Sequence, residues 1–212
     1  MSDTKPLFIS IAGIIGAGKS TLAQQLAQTF GLPIYYEPVL ENAYLADFYR
    51  DMSRYAFSMQ IHLLTRRFEQ HQQILWSGKG GVQDRTIYED GIFASLLHSR
   101  GHIHSRDYET YLTLSRQMYR FMAAPDLIVY LDVSAEEALR RVRARERDCE
   151  SGMSLDYLIA LRDGYERFIR DIAKTVPVLR VDWSTYQDVD RVAQRIKEEY
   201  DAMSMVREVK WY

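Results

Sequence analysis

Gly13-Ile14-Ile15-Gly16-Ala17-Gly18-Lys19-Ser20 constrains the fold of this chain more than any other stretch. It follows the apolar run Leu7–Ala12 and opens onto a helical pattern, Leu22, Ala23, Leu26, Ala27 and Phe30. Strand, glycine loop and helix in that order form the setting of a phosphate-binding loop. Glycines at 13, 16 and 18 let backbone N–H groups turn inward around a polyphosphate. The helix N-terminus adds partial positive charge. Lys19 is suited to neutralising the β- and γ-phosphates, and the Ser20 hydroxyl to ligating Mg²⁺. Ala17 and Thr21 complete the expected cradle. A chance glycine turn would not fill every fixed position between such flanks.

The 212 residues suit one domain, 1–212, with a full core. A net charge of −2 supplies no basic field, so nucleic acid is not an expected partner. The single cysteine, Cys149, excludes an internal disulfide framework and fits a reducing compartment. The polar start, 1–6, has no signal-like apolar region, and no segment is long enough to span a membrane. The expectation is a cytoplasmic protein with no membrane partner. No repeat or low-complexity tract is present.

Downstream, Gly31-Leu32-Pro33 breaks the first helix, about 19–30, and Ile34-Tyr35-Tyr36 reads as a second strand. Helical spacing covers 53–76, and Gly78–Gly81 stops it. A strand at 81–84, helices at 86–99 and 106–122, and a buried strand at 127–133 follow. Ser134 is placed to cap an arginine-rich helix, with Glu137 as its box partner. Helices at 154–173 and 186–203 flank a last strand, 177–181. Alternating strands and helices predict an α/β fold: a parallel sheet of about five strands covered by helices on both faces. Ligands of such sheets bind beyond the carboxyl ends of the strands. The glycine loop, Glu37 and Asp84-Arg85 all fall at such ends.

Glu37, held extended before Pro38, has two readings. It is a surface glutamate before a turn, or a carboxylate that accepts a proton from an attacking hydroxyl. Asp84 is a candidate Mg²⁺ ligand, and Arg85 a candidate phosphate partner; a plain ion pair at a helix start is the alternative. Arg141, Arg143, Arg145 and Arg147 crowd one helix end, with Arg141 and Arg145 on a common face. They read as a lid, about 141–153, that supplies charge to a transition state, or as a solvated face. Interleaved Glu146, Asp148 and Glu150 argue against a nucleic-acid patch. Cys149 has no apparent partner base, and the five histidines show no metal-ligand spacing. Aromatic residues such as Tyr35, Tyr49 and Phe93 serve either the core or a pocket for a flat ring; Phe93 is counted with the ring contacts.

Together these motifs resemble the deoxyribonucleoside kinase family, the deoxycytidine, deoxyguanosine and deoxyadenosine kinases. The resemblance runs through Gly13–Ser20, Glu37-Pro38-Val39, Gln60, Asp84–Tyr88 and Arg141-x-x-x-Arg145-x-Arg147-x-x-Glu150. It implies a P-loop kinase fold, ATP as donor, Mg²⁺ and a homodimer. It implies that Glu37 is the general base for the 5′-hydroxyl and that Arg85 steadies the 5′-end of the acceptor. Tyr49 and Glu150 would hold the 3′-hydroxyl, Gln60 would read the base, and Arg141, Arg145 and Arg147 would be lid arginines. Arg67 and Asp90 match the polar pair of purine- and cytosine-handling members. Asn42 stands where the animal enzymes carry tryptophan, which brings the chain nearer the bacterial deoxyadenosine and deoxyguanosine kinases.

The expected activity is therefore ATP-dependent phosphorylation of a deoxyribonucleoside, purine before cytosine. A thymidylate-type monophosphate kinase shares the loop, sheet and lid, but Glu37 would repel its phosphorylated acceptor. A nucleotide switch or non-catalytic subunit is a further alternative. The N-K-x-D motif of guanine switches is absent, since the only asparagine is Asn42, followed by Ala43.

Overall fold

The computed structural model describes residues 6–37, 42–145, 152–185 and 188–203. Five parallel strands form one sheet in the order β2-β3-β1-β4-β5. They are β1 (Phe8–Ala12), β2 (Ile34–Tyr35), β3 (Gly81–Asp84), β4 (Leu127–Asp132) and β5 (Val178–Asp182). β1 is buried along its whole length and β4 in all but its last residue. Both need neighbours on two faces, which is why their sequences are continuous apolar runs.

The helices are α1 (Lys19–Phe30), α2 (Leu45–Arg50), α3 (Met52–Trp76), α4 (Asp90–Ser99), α5 (Ser105–Tyr119), α6 (Ala135–Ala144), α7 (Leu155–Ile172) and α8 (Val189–Asp201). A 3₁₀ turn, Ile87–Glu89, leads into α4. α1 buries Leu22, Ala23, Leu26 and Ala27, the i, i+1, i+4, i+5 stripe of an amphipathic helix. Gly31 ends it in the left-handed conformation (φ 65°) and returns its N–H to Ala27 and Gln28.

Three features differ from the sequence-based expectation. α2 was not foreseen; it is one short helix folded onto α3, without glycine or proline punctuation. The helix expected from residue 86 begins instead as the 3₁₀ turn, because Thr86 and Glu89 form a reciprocal capping box. At α6, Ser134 Oγ accepts from Glu137 N (3.2 Å) as expected, but the Glu137 carboxylate accepts from Arg140 and Arg141. α6 ends at Ala144. Arg147, Cys149 and Glu150, with the middle of the expected lid, lie outside the described residues.

The sheet reverses its winding at β1, whose neighbours are β3 and β4. The glycine loop leaves β1 at this switch point, where an open α/β sheet forms a crevice. Gly16 (φ +83°) presses the loop against α6: a Cβ there would lie 2.5 Å from the Ala138 carbonyl oxygen and 2.8 Å from Val142 Cγ2. Gly16→Ala therefore meets both a disfavoured φ and a backbone collision. We expect a loss of at least about 2 kcal/mol of stability, with most of the activity, measured by denaturant unfolding and steady-state turnover.

Candidate active site

Gly18 caps α1 in the left-handed conformation (φ 91°), and no side chain closes the first turn. The first N–H groups of α1 are thus left for an incoming anion. Lys19 is buried and donates from Nζ to the Ile14 carbonyl (3.1 Å). Burial, and then the charge of Arg85, pull its pKa down to about 8 against the opposing pull of Asp84, Glu37 and Glu89. Ser20 Oγ donates to Asp84 Oδ2 (2.5 Å), while the buried Asp84 Oδ1 makes no hydrogen bond.

Glu37 follows the edge strand β2 and faces this loop across a cleft of about 390 Å³. Arg67 of α3 donates to its Oε1 (2.5 Å), and Arg85 Nε lies 3.4 Å from the same oxygen. Burial by itself would raise the carboxyl. The charges of Arg85, Arg67 and Lys19 outweigh that and hold it at about 2. The group is therefore an ionised, hydrogen-bonded carboxylate at neutral pH.

Arg85 has φ +68°, the one positive value at a non-glycine among the described residues. Its N–H donates to the Ile11 carbonyl (3.1 Å), which locks the end of β3 onto β1. The guanidinium lies over the Phe93 ring, 4.7 Å from the centroid, and Nη2 reaches the Gly13 carbonyl (3.4 Å). Burial opposes its charge, but Tyr165, Glu37, Glu89 and Asp84 together push its pKa up. Burial raises the Glu89 carboxyl, and Arg85, Tyr165 and the Thr86 N–H oppose that shift.

The cleft is lined by Gly16, Gly18, Lys19, Ser20 and Thr21 of the loop and first helical turn. Glu37, Tyr49, Gln60, Arg67, Asp84, Arg85 and Phe93 line it too. Arg141 and Arg145 also border it. Gly13 and Ala17 lie in the loop but not on the cleft wall, and Asp90 is buried behind the wall, where it meets Arg67. Gln60 Oε1 is buried with no hydrogen-bond partner. Arg141 is anchored, donating to the Ala17 and Trp183 carbonyls (3.1 and 2.8 Å) and to Glu137 (2.7 Å). Sequence reasoning missed Trp183, Thr185, Val189 and Tyr157, which also line the cleft. Trp183 and Thr185 were findable, because they follow the carboxyl end of β5.

One cleft thus holds a polyphosphate cradle, a half-buried ionised carboxylate, and an amide and a guanidinium able to read a polar ring. The deoxynucleoside kinase family model matches residues 9–205. The chain belongs to the deoxynucleoside kinase family. It is a phosphotransferase with the P-loop kinase fold. Deoxyadenosine kinase of Dictyostelium discoideum is 49% identical over 201 residues, covering 95% of this chain and 82% of that protein. Deoxyadenosine/deoxycytidine kinase of Bacillus subtilis is 37% identical, covering 86% and 85%. Deoxyadenosine kinase from M. mycoides superposes with a TM-score of 0.83 at 30% identity, over 93% of this chain and all of that one. In this kinase no helix among the described residues is long and apolar enough to cross a membrane.

The low pKa of Glu37 makes it a source of stability. Ionisation in the folded state is favoured relative to the unfolded chain, so its contribution is full above about pH 4.5 and is lost as pH falls toward 2. Glu37→Gln should then be less stable than the parent at pH 7 by about 2–3 kcal/mol. That difference should shrink below pH 4.5 in urea titrations.

Proposed function

We propose that this protein transfers the γ-phosphoryl group of ATP to the 5′-hydroxyl of a deoxyribonucleoside, preferring deoxyadenosine and deoxyguanosine over deoxycytidine. The observation that carries this reading is the ionised Glu37 carboxylate, gripped by Arg67 and Arg85 in the same cleft as the phosphate loop. Glu37 takes the hydroxyl proton as the oxygen attacks. Arg85 steadies that oxygen, and the loop N–H groups with Lys19 absorb charge on the donor. Tyr49 and Glu150 hold the 3′-hydroxyl. Gln60, Arg67, Asp90 and Phe93 receive the base, with the ring stacked on Phe93 and its polar edge toward Gln60 and Arg67. Such a set disfavours thymine, whose methyl group needs apolar space. Arg141, Arg145 and Arg147 belong to a lid, about 141–153, on a single domain.

Mg²⁺ fits the residues present. Ser20 and Asp84 offer hard oxygen donors, and Asp84 Oδ1 has no hydrogen bond to give up. An ion held by these two side chains would take its remaining ligands from substrate phosphates and water. When bound, it would neutralise charge on the donor phosphates. We also propose a homodimer in the cytoplasm. Leu155 and Ile159, exposed one turn apart on α7, offer it apolar surface.

A panel of nucleosides with labelled ATP tests the reading. Deoxyadenosine and deoxyguanosine should be phosphorylated fastest, and dAMP and dTMP should be inert. Turnover of dTMP in place of nucleosides would point to a monophosphate kinase, and ATP hydrolysis indifferent to nucleosides to a switch. Glu37→Gln should still bind nucleoside while kcat drops by roughly 100- to 10,000-fold. Near-normal turnover would remove Glu37 from the mechanism.

A further inference from the structure

Behind Arg85 lies a buried polar chain that the transfer chemistry does not use. Arg85 Nη1 donates to the Tyr165 hydroxyl (2.7 Å). That hydroxyl donates its own hydrogen to Glu89 Oε2 (2.6 Å). Glu89 Oε1 accepts the Thr86 N–H (3.0 Å). The order of donation is fixed: a guanidinium only donates and a carboxylate only accepts, so the hydroxyl must face both ways. Tyr165 and Glu89 are fully buried, and neither borders the cleft. The tyrosine ring is wedged between Tyr130, stacked at 6.1 Å, and Phe93, met edge-on at 6.3 Å.

We propose that Tyr165 and Glu89 are positioning residues for phosphoryl transfer: they hold the Arg85 guanidinium from behind, so that its Nε edge stays turned toward Glu37 and the acceptor oxygen. The proposal rests on the reading of Arg85 as the residue that contacts the acceptor. Two observations support it. Arg85 Nε is buried, makes no hydrogen bond, and lies 3.4 Å from Glu37 Oε1, so the edge facing the cleft is the one left open. The backbone at Arg85 is in the left-handed region, a conformation that L-residues keep only when their surroundings impose it. The capping box of Thr86 and Glu89 and the bond that Arg85 donates to Tyr165 supply that constraint from the 3₁₀ turn and from α7.

Tyr165→Phe removes one hydroxyl and keeps the ring. It should fold, bind deoxyadenosine with little change in KM, and lose about 10- to 100-fold in kcat through a displaced guanidinium. Glu89→Gln should show the same split, because the amide offers the tyrosine hydrogen a poorer acceptor; it carries the test if Tyr165→Phe does not fold. The deciding measurement is a double-mutant cycle with Arg85→Lys, assayed well below the melting temperature of each variant. If Tyr165 acts through Arg85, Tyr165→Phe should lower kcat little further in the Arg85→Lys background. An Arg85→Lys enzyme at the parental rate would overturn the role of Arg85 itself. A slow Arg85→Lys enzyme overturns the positioning role alone if Tyr165→Phe and Glu89→Gln run at the parental rate. It does so equally if their losses multiply with that of Arg85→Lys.

Discussion

The balance of buried charge around Arg85 is the constraint on which the rest of the site depends. Arg85 sits where β3, the glycine loop and α7 meet, with Glu37 in front and Glu89 behind through Tyr165. A lone guanidinium in such a place would be prohibitive, and so would either carboxylate. Together they compensate, and each fixes the position of the others. The Glu37 carboxylate is thereby aimed by the same ion pairs that make its partial burial tolerable.

That arrangement ties chemistry to stability. Lys19, Arg67 and Arg85 all act on Glu37, and Asp84, Glu89 and Asp90 add further negative charge around them. Removing one member does more than delete a contact, because it leaves a buried partner uncompensated. Arg67 is the clearest case. It binds Glu37 and Asp90 at once, so the carboxylate after β2 and the carboxylate that opens α4 share one side chain and form one electrostatic unit.

The loop, all five strands and seven of the eight helices could be read from the chain, because continuous apolar runs and glycine punctuation mark buried strands and turns without tertiary information. Glu37 and Asp84-Arg85 were also legible, as polar residues at strand ends. What stayed hidden depends on distance in sequence. Tyr165 lies 80 residues from Arg85, and within α7 it reads as one more apolar contact. Glu89 looks like a first-turn helical glutamate until its capping box with Thr86 is seen. α2 escaped because six residues give too short a period to separate from loop. Arg141 was legible as a cation near the end of an arginine-rich helix, but its carbonyl anchors at Ala17 and Trp183 were not.

The two halves of the cleft hang on unequal supports. The cradle leaves β1, the central strand, which is fully enclosed and hydrogen-bonded along both sides. Glu37 follows β2, a two-residue edge strand paired on one side only. A short edge ladder yields at low energy, while a central one opens only with the whole sheet. The glycine loop is therefore carried by the stiffest strand of the sheet and Glu37 by a compliant edge. Any rearrangement that brings the two sides of the cleft together would fall on the margin that carries Glu37 and leave the loop undisturbed.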